Sequence, residues 1–255
     1  MFLALDSSTL TLSLALLEHA DGGVRVIESF EEGPPKKQSQ MLPGVIGELL
    51  ARHGVRLEEL QGIAIGLGPG SFTGLRIGLA TVKALSYAAR LEVVGVSSLA
   101  AVALEGPAGV ELRPCAVARQ NELYVGHYRR EGEGVTSISP ERALTPAELA
   151  EELRASLTLA LSQRERDAQL ALGPAISEYR SRLEALGVSA RQLLDEPRFP
   201  HASAVAKLAH FSGRYDAQAI FALEPHYVRA SEAERNPKFP PLPGPAPLAR
   251  IKKEE

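Results

Sequence analysis

Two short stretches of this chain carry residue types that could hold a phosphate. Gly66, Gly68 and Gly70 alternate in Gly66-Leu67-Gly68-Pro69-Gly70-Ser71, between a β-branched apolar run and a long uncharged segment. A glycine loop that enters a helix N-terminus turns unpaired N–H groups outward and so suits an anion. Asp6-Ser7-Ser8-Thr9 follows a second apolar run, and offers an acid for a divalent cation beside small hydroxyls that could face phosphate. Neither stretch completes a familiar motif. No Gly-Lys-Ser/Thr follows the loop, which excludes a P-loop. Ser71 occupies the third glycine position of the dinucleotide fingerprint, and the next strand ends in Ser97-Ser98 rather than an acid. A tight strand-to-helix connection and an Asx-type turn, each without ligand, stand as the structural alternatives.

Other chemistry is poorly provided for. The histidines, His19, His53, His127, His201, His210 and His226, include no HxxxH or HExxH pair, so no metal site is expected. Cys115 sits in an apolar strand pattern, and Ser71 is not in a G-x-S-x-G elbow. A phosphotransferase built from two lobes needs a gripping loop in each. Thirteen of the 22 glycines fall within residues 1–105, and the rest are scattered without a Gly-Gly pair, so the cleft is half-equipped. No catalytic residue is assigned and no cofactor is expected, ATP being the one candidate the two stretches raise.

The elements that position these residues follow from periodicity. Strands are predicted at Phe2–Leu5, Leu10–Leu17 and Val24–Phe30, with a hairpin at Asp21-Gly22-Gly23 and a loop at Pro34-Pro35-Lys36-Lys37. A helix at Ser39–His53, a strand at Gly62–Ile65, a helix at Ser71–Arg90 and a strand at Val93–Val96 come next. Beyond Pro107 the order recurs. Strands at Pro114–Arg119, Leu123–Arg130 and Val135–Ser139 precede a capping box, Thr145-Pro146-Ala147-Glu148, that opens a helix to about Leu157. A strand at Gln169–Leu172 and helices at Pro174–Leu186 and Ala202–Phe211 complete it. Two α/β lobes are implied, each a mixed sheet flanked by helices, at residues 1–105 and 106–235. Residues 236–255 hold six of the 18 prolines and are expected to form an extended or mobile tail.

The chain has 255 residues, 45% of them hydrophobic and 23% charged, and a net charge of −3, which argues against a basic face for autonomous nucleic-acid binding. One cysteine, no basic leader before the apolar start and no run long enough for a membrane span together point to the cytoplasm.

The helix at Ser71–Arg90 is the most informative element. Arg76, Lys83 and Arg90 fall seven apart on one stripe. Phe72, Leu75, Leu79 and Val82 form a second stripe, expected to face the lobe's own sheet. Gly74, Gly78, Thr81 and Leu85 form a third, expected to meet a partner. Leu42, Val45, Ile46 and Leu49, with Gly44 and Gly47 among them, are expected to share that interface. The alternative is that this first helix itself covers the third stripe.

Several motifs together resemble one family. DSST at Asp6, GLGPGSFTGLRIGLATVKAL from Gly66, GVSSLAA from Gly95, ARQNELY from Ala118 and EPHYVR from Glu224 are similar to segments of the bacterial TsaB (YeaZ) family. The resemblance implies two tandem actin-like (ASKHA, ribonuclease H-like) lobes. It also implies a non-catalytic partner of a TsaD-type protein in making N6-threonylcarbamoyladenosine at tRNA position 37. TsaD carries the metal and transfers the group, a TsaE-type ATPase joins, and tRNA is met only through the complex. Alone, such a chain is expected to form a homodimer through the helices at Ser39–His53 and Ser71–Arg90. Val117 stands where the family commonly has an acid, and Gln38-Ser39 where it has His-Ser. The competing class is an independent ATP-dependent transferase or kinase of the same fold.

Overall fold

A computed structural model describes residues 1–20, 23–32, 38–119, 121–163 and 169–228, without the side chains of 23, 32, 38–41 and 157–163. The hairpin at Asp21-Gly22, the Pro34–Lys37 loop, the Gln38 side chain and the 236–255 tail therefore lie outside what is described.

The first lobe runs β1 (Phe2–Asp6), β2 (Leu12–Ala20), β3 (Gly23–Glu32), α1 (Gln38–Arg52), β4 (Gly62–Gly66), α2 (Phe72–Ala89) and β5 (Glu92–Val96). Its five strands lie in the order β3-β2-β1-β4-β5. β1 pairs antiparallel with β2 and parallel with β4, and β5 extends the parallel side. Next comes α3 (Ser98–Glu105), which leads into β6 (Glu111–Arg119), β7 (Glu122–Glu131), β8 (Gly134–Leu144), α4 (Pro146–Gln163), β9 (Leu170–Leu172), α5 (Pro174–Ala185) and β10 (Leu193–Leu194). These strands form a second sheet in the order β10-β9-β6-β7-β8. β6 is antiparallel to β7 and parallel to β9, so both lobes share one topology.

Side-chain alternation along β1 divides the first lobe into two cores. Leu3 and Leu5 face α1 and α2 with Leu14, Leu16, Ile63 and Ile65. Ala4 faces the other way with Ala15 and Ala64, and on these small residues sits α6 (Ala202–Leu208) through Ala202, Val205 and Ala206. The Ser13 hydroxyl accepts from the Ala202 N–H at 2.9 Å, which pins α6 in place. Residues 202–208 follow the second lobe in sequence yet complete the first in space. α7 (Ala217–Ala222) lies further on, beside α2. The sequence reading does not anticipate α3, which is buried from Ser98 to Leu104 and packs against α6 on one side and β6 and β7 on the other. A segment apolar on every side has no period to read. The predicted Thr145 box is present: Thr145 N–H donates to Glu148 Oε2 at 2.7 Å, and Glu148 N–H to Thr145 Oγ1 at 3.3 Å.

No helix among the described residues is long and apolar enough to cross a membrane.

Candidate functional site

The two phosphate-like stretches do meet, but each is occupied with the other. Asp6 ends β1 and is fully buried. Its Oδ1 accepts from the Ser8 N–H at 2.8 Å and the Ser8 hydroxyl at 2.6 Å, and its Oδ2 accepts from the Ser98 hydroxyl at 2.5 Å. Burial holds the carboxyl above its usual value of 3.8, with those hydrogen bonds pulling the other way. The glycine loop closes over this turn. A Cβ on Gly66 would strike the Asp6 carboxylate, and one on Gly70 the Ser8 carbonyl. Gly68 has φ +95, a backbone angle that suits glycine. Its N–H donates to Ser98 Oγ at 3.0 Å, the Ser71 N–H to the Ser8 carbonyl at 2.6 Å and the Leu67 N–H to Val96 at 2.8 Å. The N–H groups of Leu67, Gly68 and Ser71 are thus spent inside the protein. Ser98, within a motif visible in the sequence, is the residue whose part in this network the sequence does not reveal.

The face of α2 differs from expectation. Gly74 and Gly78 point at the Ser7 turn, not at a partner: an added Cβ would meet the Ser7 carbonyl or hydroxyl. The Ser7 hydroxyl donates to the Gly74 carbonyl at 2.9 Å from within this notch. Leu42, Ile46 and Leu49 are buried in the first lobe's core, while Val45, Thr81 and Leu85 are half-buried. Phe72, expected on the sheet face, is 46% exposed. The outward face carries Gly44 and Gly47 of α1, neither with any atom within 4 Å of an added Cβ, and Thr73, Ala80 and Ala84 of α2. Small residues therefore lie on both sides of the helix pair, one set pressed against the Ser7 turn and the other open, and size alone does not tell them apart.

The charged stripe of α2 grips the end of the described chain. Arg76 Nε donates to the Tyr227 hydroxyl at 3.2 Å, Lys83 Nζ to the carbonyls of Phe221 and Leu223 at 2.8 and 2.7 Å, and the Arg90 guanidinium lies 5.8 Å from the Tyr215 ring centre. The His226 N–H continues this strap by donating to the Leu67 carbonyl at 2.7 Å. Its imidazole Nδ1 stands 3.2 Å from Glu141 Oε2, without a hydrogen bond. Glu141 Oε1 accepts from the Tyr128 hydroxyl at 2.6 Å and from the Ser97 hydroxyl, tying β8 to the start of α3.

Between the lobes lies a cavity of about 740 Å³, walled by the start of α2, the end of β6, the start of α5 and the strap. Elsewhere the chemistry is quiet. No group of three metal-ligating side chains occurs among the described residues. Burial pushes the Cys115 thiol up to about 12, which leaves it inert at neutral pH.

A repeated lobe with three antiparallel strands, a helix and two parallel strands, closed around a cleft, defines a protein of the actin-like (ASKHA) class. A family described as "TsaD: tRNA N6-adenosine threonylcarbamoyltransferase" matches residues 34–176. The chain is 32% identical over 154 residues to the tRNA threonylcarbamoyladenosine biosynthesis protein TsaB of Escherichia coli (strain K12), covering 59% of this chain and 64% of that one. It is 28% identical over 234 residues to TsaB of Bacillus subtilis (strain 168), covering 91% and 95%. A Pseudomonas aeruginosa structure, described as an uncharacterized protein with similarity to peptidase YEAZ, superposes with a TM-score of 0.70 at 30% identity, over 89% of this chain and 99% of that one. The match to the E. coli relative thus spans just under two-thirds of that protein's length. The chain belongs to the TsaB (YeaZ) family.

Proposed function

We propose that this chain is a non-catalytic partner subunit in forming N6-threonylcarbamoyladenosine at tRNA position 37, docking on a TsaD-type threonylcarbamoyltransferase. The observation that carries the reading is the enclosure of Asp6: both oxygens of an acid at zero exposure are already engaged by Ser8 and Ser98 inside the protein. Chemistry then has to come from a partner. The outward face of α1 and α2, with Gly44, Gly47, Ala80 and Ala84, supports the docking half, because small side chains let a second helix pair approach closely. The same face serves a homodimer when the chain is alone. A TsaE-type ATPase joins the pair, tRNA is met through the assembly, and the work is cytoplasmic.

The test is reconstitution with a TsaD-type protein. Wild-type chain forms a stable complex and supports modified tRNA, and Ala84→Arg blocks both with an unchanged melting temperature. The independent-transferase alternative wins if the purified chain alone turns over Mg-ATP and Asp6→Ala abolishes that turnover.

A further inference from the structure

The strap at 212–228 follows the second lobe in sequence and is held by the first. The Ser212 and Gly213 N–H groups donate to the Glu92 carboxylate at the start of β5, at 2.9 and 2.7 Å. Lys83 takes the Phe221 and Leu223 carbonyls, and Leu223 packs against the first lobe's core. Beyond that grip lies a short arm, 224–228, with the His226 N–H on the Leu67 carbonyl and the Tyr227 hydroxyl on Arg76. All of these partners belong to the first lobe. Among the described residues, one polar contact of the strap reaches the second lobe: His226 Nδ1 stands 3.2 Å from Glu141 Oε2 of β8.

The two members of this pair are unequal. The Glu141 side chain is 3% exposed, and that of His226 is 48% exposed. Glu141 is fixed through Oε1, which accepts from the Tyr128 hydroxyl at 2.6 Å and from Ser97. Burial and the carboxylate beside it push the Tyr128 hydroxyl well above its usual 10, so it stays a donor. Oε2, by contrast, is buried without a hydrogen bond, a condition a carboxylate oxygen rarely keeps. Neighbouring contacts lead around to it. Ser97 adjoins Ser98, which accepts from the Gly68 N–H at 3.0 Å, and Leu67, next to Gly68, accepts from His226. The path Glu141, Ser97, Ser98, Gly68, Leu67, His226 thus joins the lobes by made bonds everywhere except at its last link, back to Glu141.

We propose that His226 and Glu141 form a catch that fastens the strap to the second lobe. The buried carboxylate is its fixed half and the exposed imidazole its moving half. At 3.2 Å the atoms are already within bonding range, so closing the catch takes a turn of the ring and no travel of the chain. With Nδ1–H donating to Oε2, the arm is tied to both lobes, and His226 and Tyr227 wall the interlobe cavity. With the bond released, residues 224–228 swing on the Lys83 grip and that wall opens. The device goes beyond the partner role, and neither requires the other.

Amide hydrogen exchange on the full chain, resolved at His226, Tyr227 and Val228, tests it. His226→Phe keeps a ring and removes the donor; exchange at these amides should rise about tenfold, with that of Ala217–Ala222 unchanged. Glu141→Ala should produce the same rise, and adding His226→Phe to it should change exchange by less than about twofold, because the two act through one bond. Should Glu141→Ala fail to fold, Glu141→Asp takes its place: it keeps an acceptor for Tyr128 and Ser97 and shortens the reach toward the strap. The proposal is overturned if His226→Phe leaves exchange of the arm unchanged, or if its effect persists in full once Glu141 has been replaced.

Discussion

The Ser98 hydroxyl donates to Asp6 Oδ2 at 2.5 Å, joining the end of β1 to the first residue of α3. An acid with the sequence context of a catalytic group has become a structural acceptor, and its energetics should show it.

Asp6→Ala leaves the Ser8 N–H and the Ser8 and Ser98 hydroxyls without their acceptor, and should cost about 2–4 kcal/mol by denaturant unfolding. Asp6→Asn keeps the shape and removes the buried charge. Because burial raises the folded carboxyl above 3.8, the folded protein holds that proton more tightly than the unfolded chain. Wild-type stability relative to Asp6→Asn should therefore fall as pH rises from near 3.8 through the raised folded value, and level off above it. A difference that instead grows in favour of wild type with rising pH would mean that Asp6 is held as a favourable charge.

Two glycines on neighbouring helices should respond in opposite directions. Gly74→Ala drives a methyl into the Ser7 carbonyl and should destabilise the chain by about 1–3 kcal/mol. Gly47→Ala meets open space in the middle of α1 and should stabilise the isolated chain by about 0.5–1 kcal/mol. The same Gly47→Ala change should weaken association with a TsaD-type partner, read by sedimentation or calorimetry.

Lys83 holds the strap through two carbonyls, and Lys83→Met keeps the aliphatic stem while removing both bonds. Amide hydrogen exchange across 215–228 should accelerate, with a stability loss of about 1–2 kcal/mol. Unchanged exchange there would show that Arg76 and the backbone contacts suffice.

His201, at the start of α6, accepts its clearest pH signature from Glu105, whose carboxylate lies 2.6 Å from Nδ1 and raises the imidazole above its usual 6.5. The resulting stabilisation is fully present below 6.5 and is lost as pH rises through the raised folded value. Glu105→Gln should flatten that part of the stability profile, as followed by thermal melts between about pH 5 and 9, a window that brackets the ordinary histidine value.

Both lobes were legible in the sequence because their strands alternate and their order recurs, and the start of α2 because Ser71 is a capping residue; its Oγ accepts from Gly74 N–H at 3.2 Å. The facing of α2 was not. A stripe of Gly74, Gly78 and Thr81 announces a close approach but not whose backbone makes it, and here it is the Ser7 turn of the same lobe. Arg76, Lys83 and Arg90 read only as three charges on one stripe, since partners some 140 residues away leave no local trace. Val117 was legible only as a departure from a family pattern, and the structure places it on the wall of the interlobe cavity.

The return of α6 to the first sheet has a consequence for biosynthesis. The alanine face of β1, β2 and β4 stays uncovered until residue 208 has left the ribosome, although its own strands emerged some 140 residues earlier. Contacts of such wide sequence separation form late. The amino-terminal half therefore waits on the carboxy-terminal half, and a nascent chain halted between them would expose a sticky sheet that chaperones must shield.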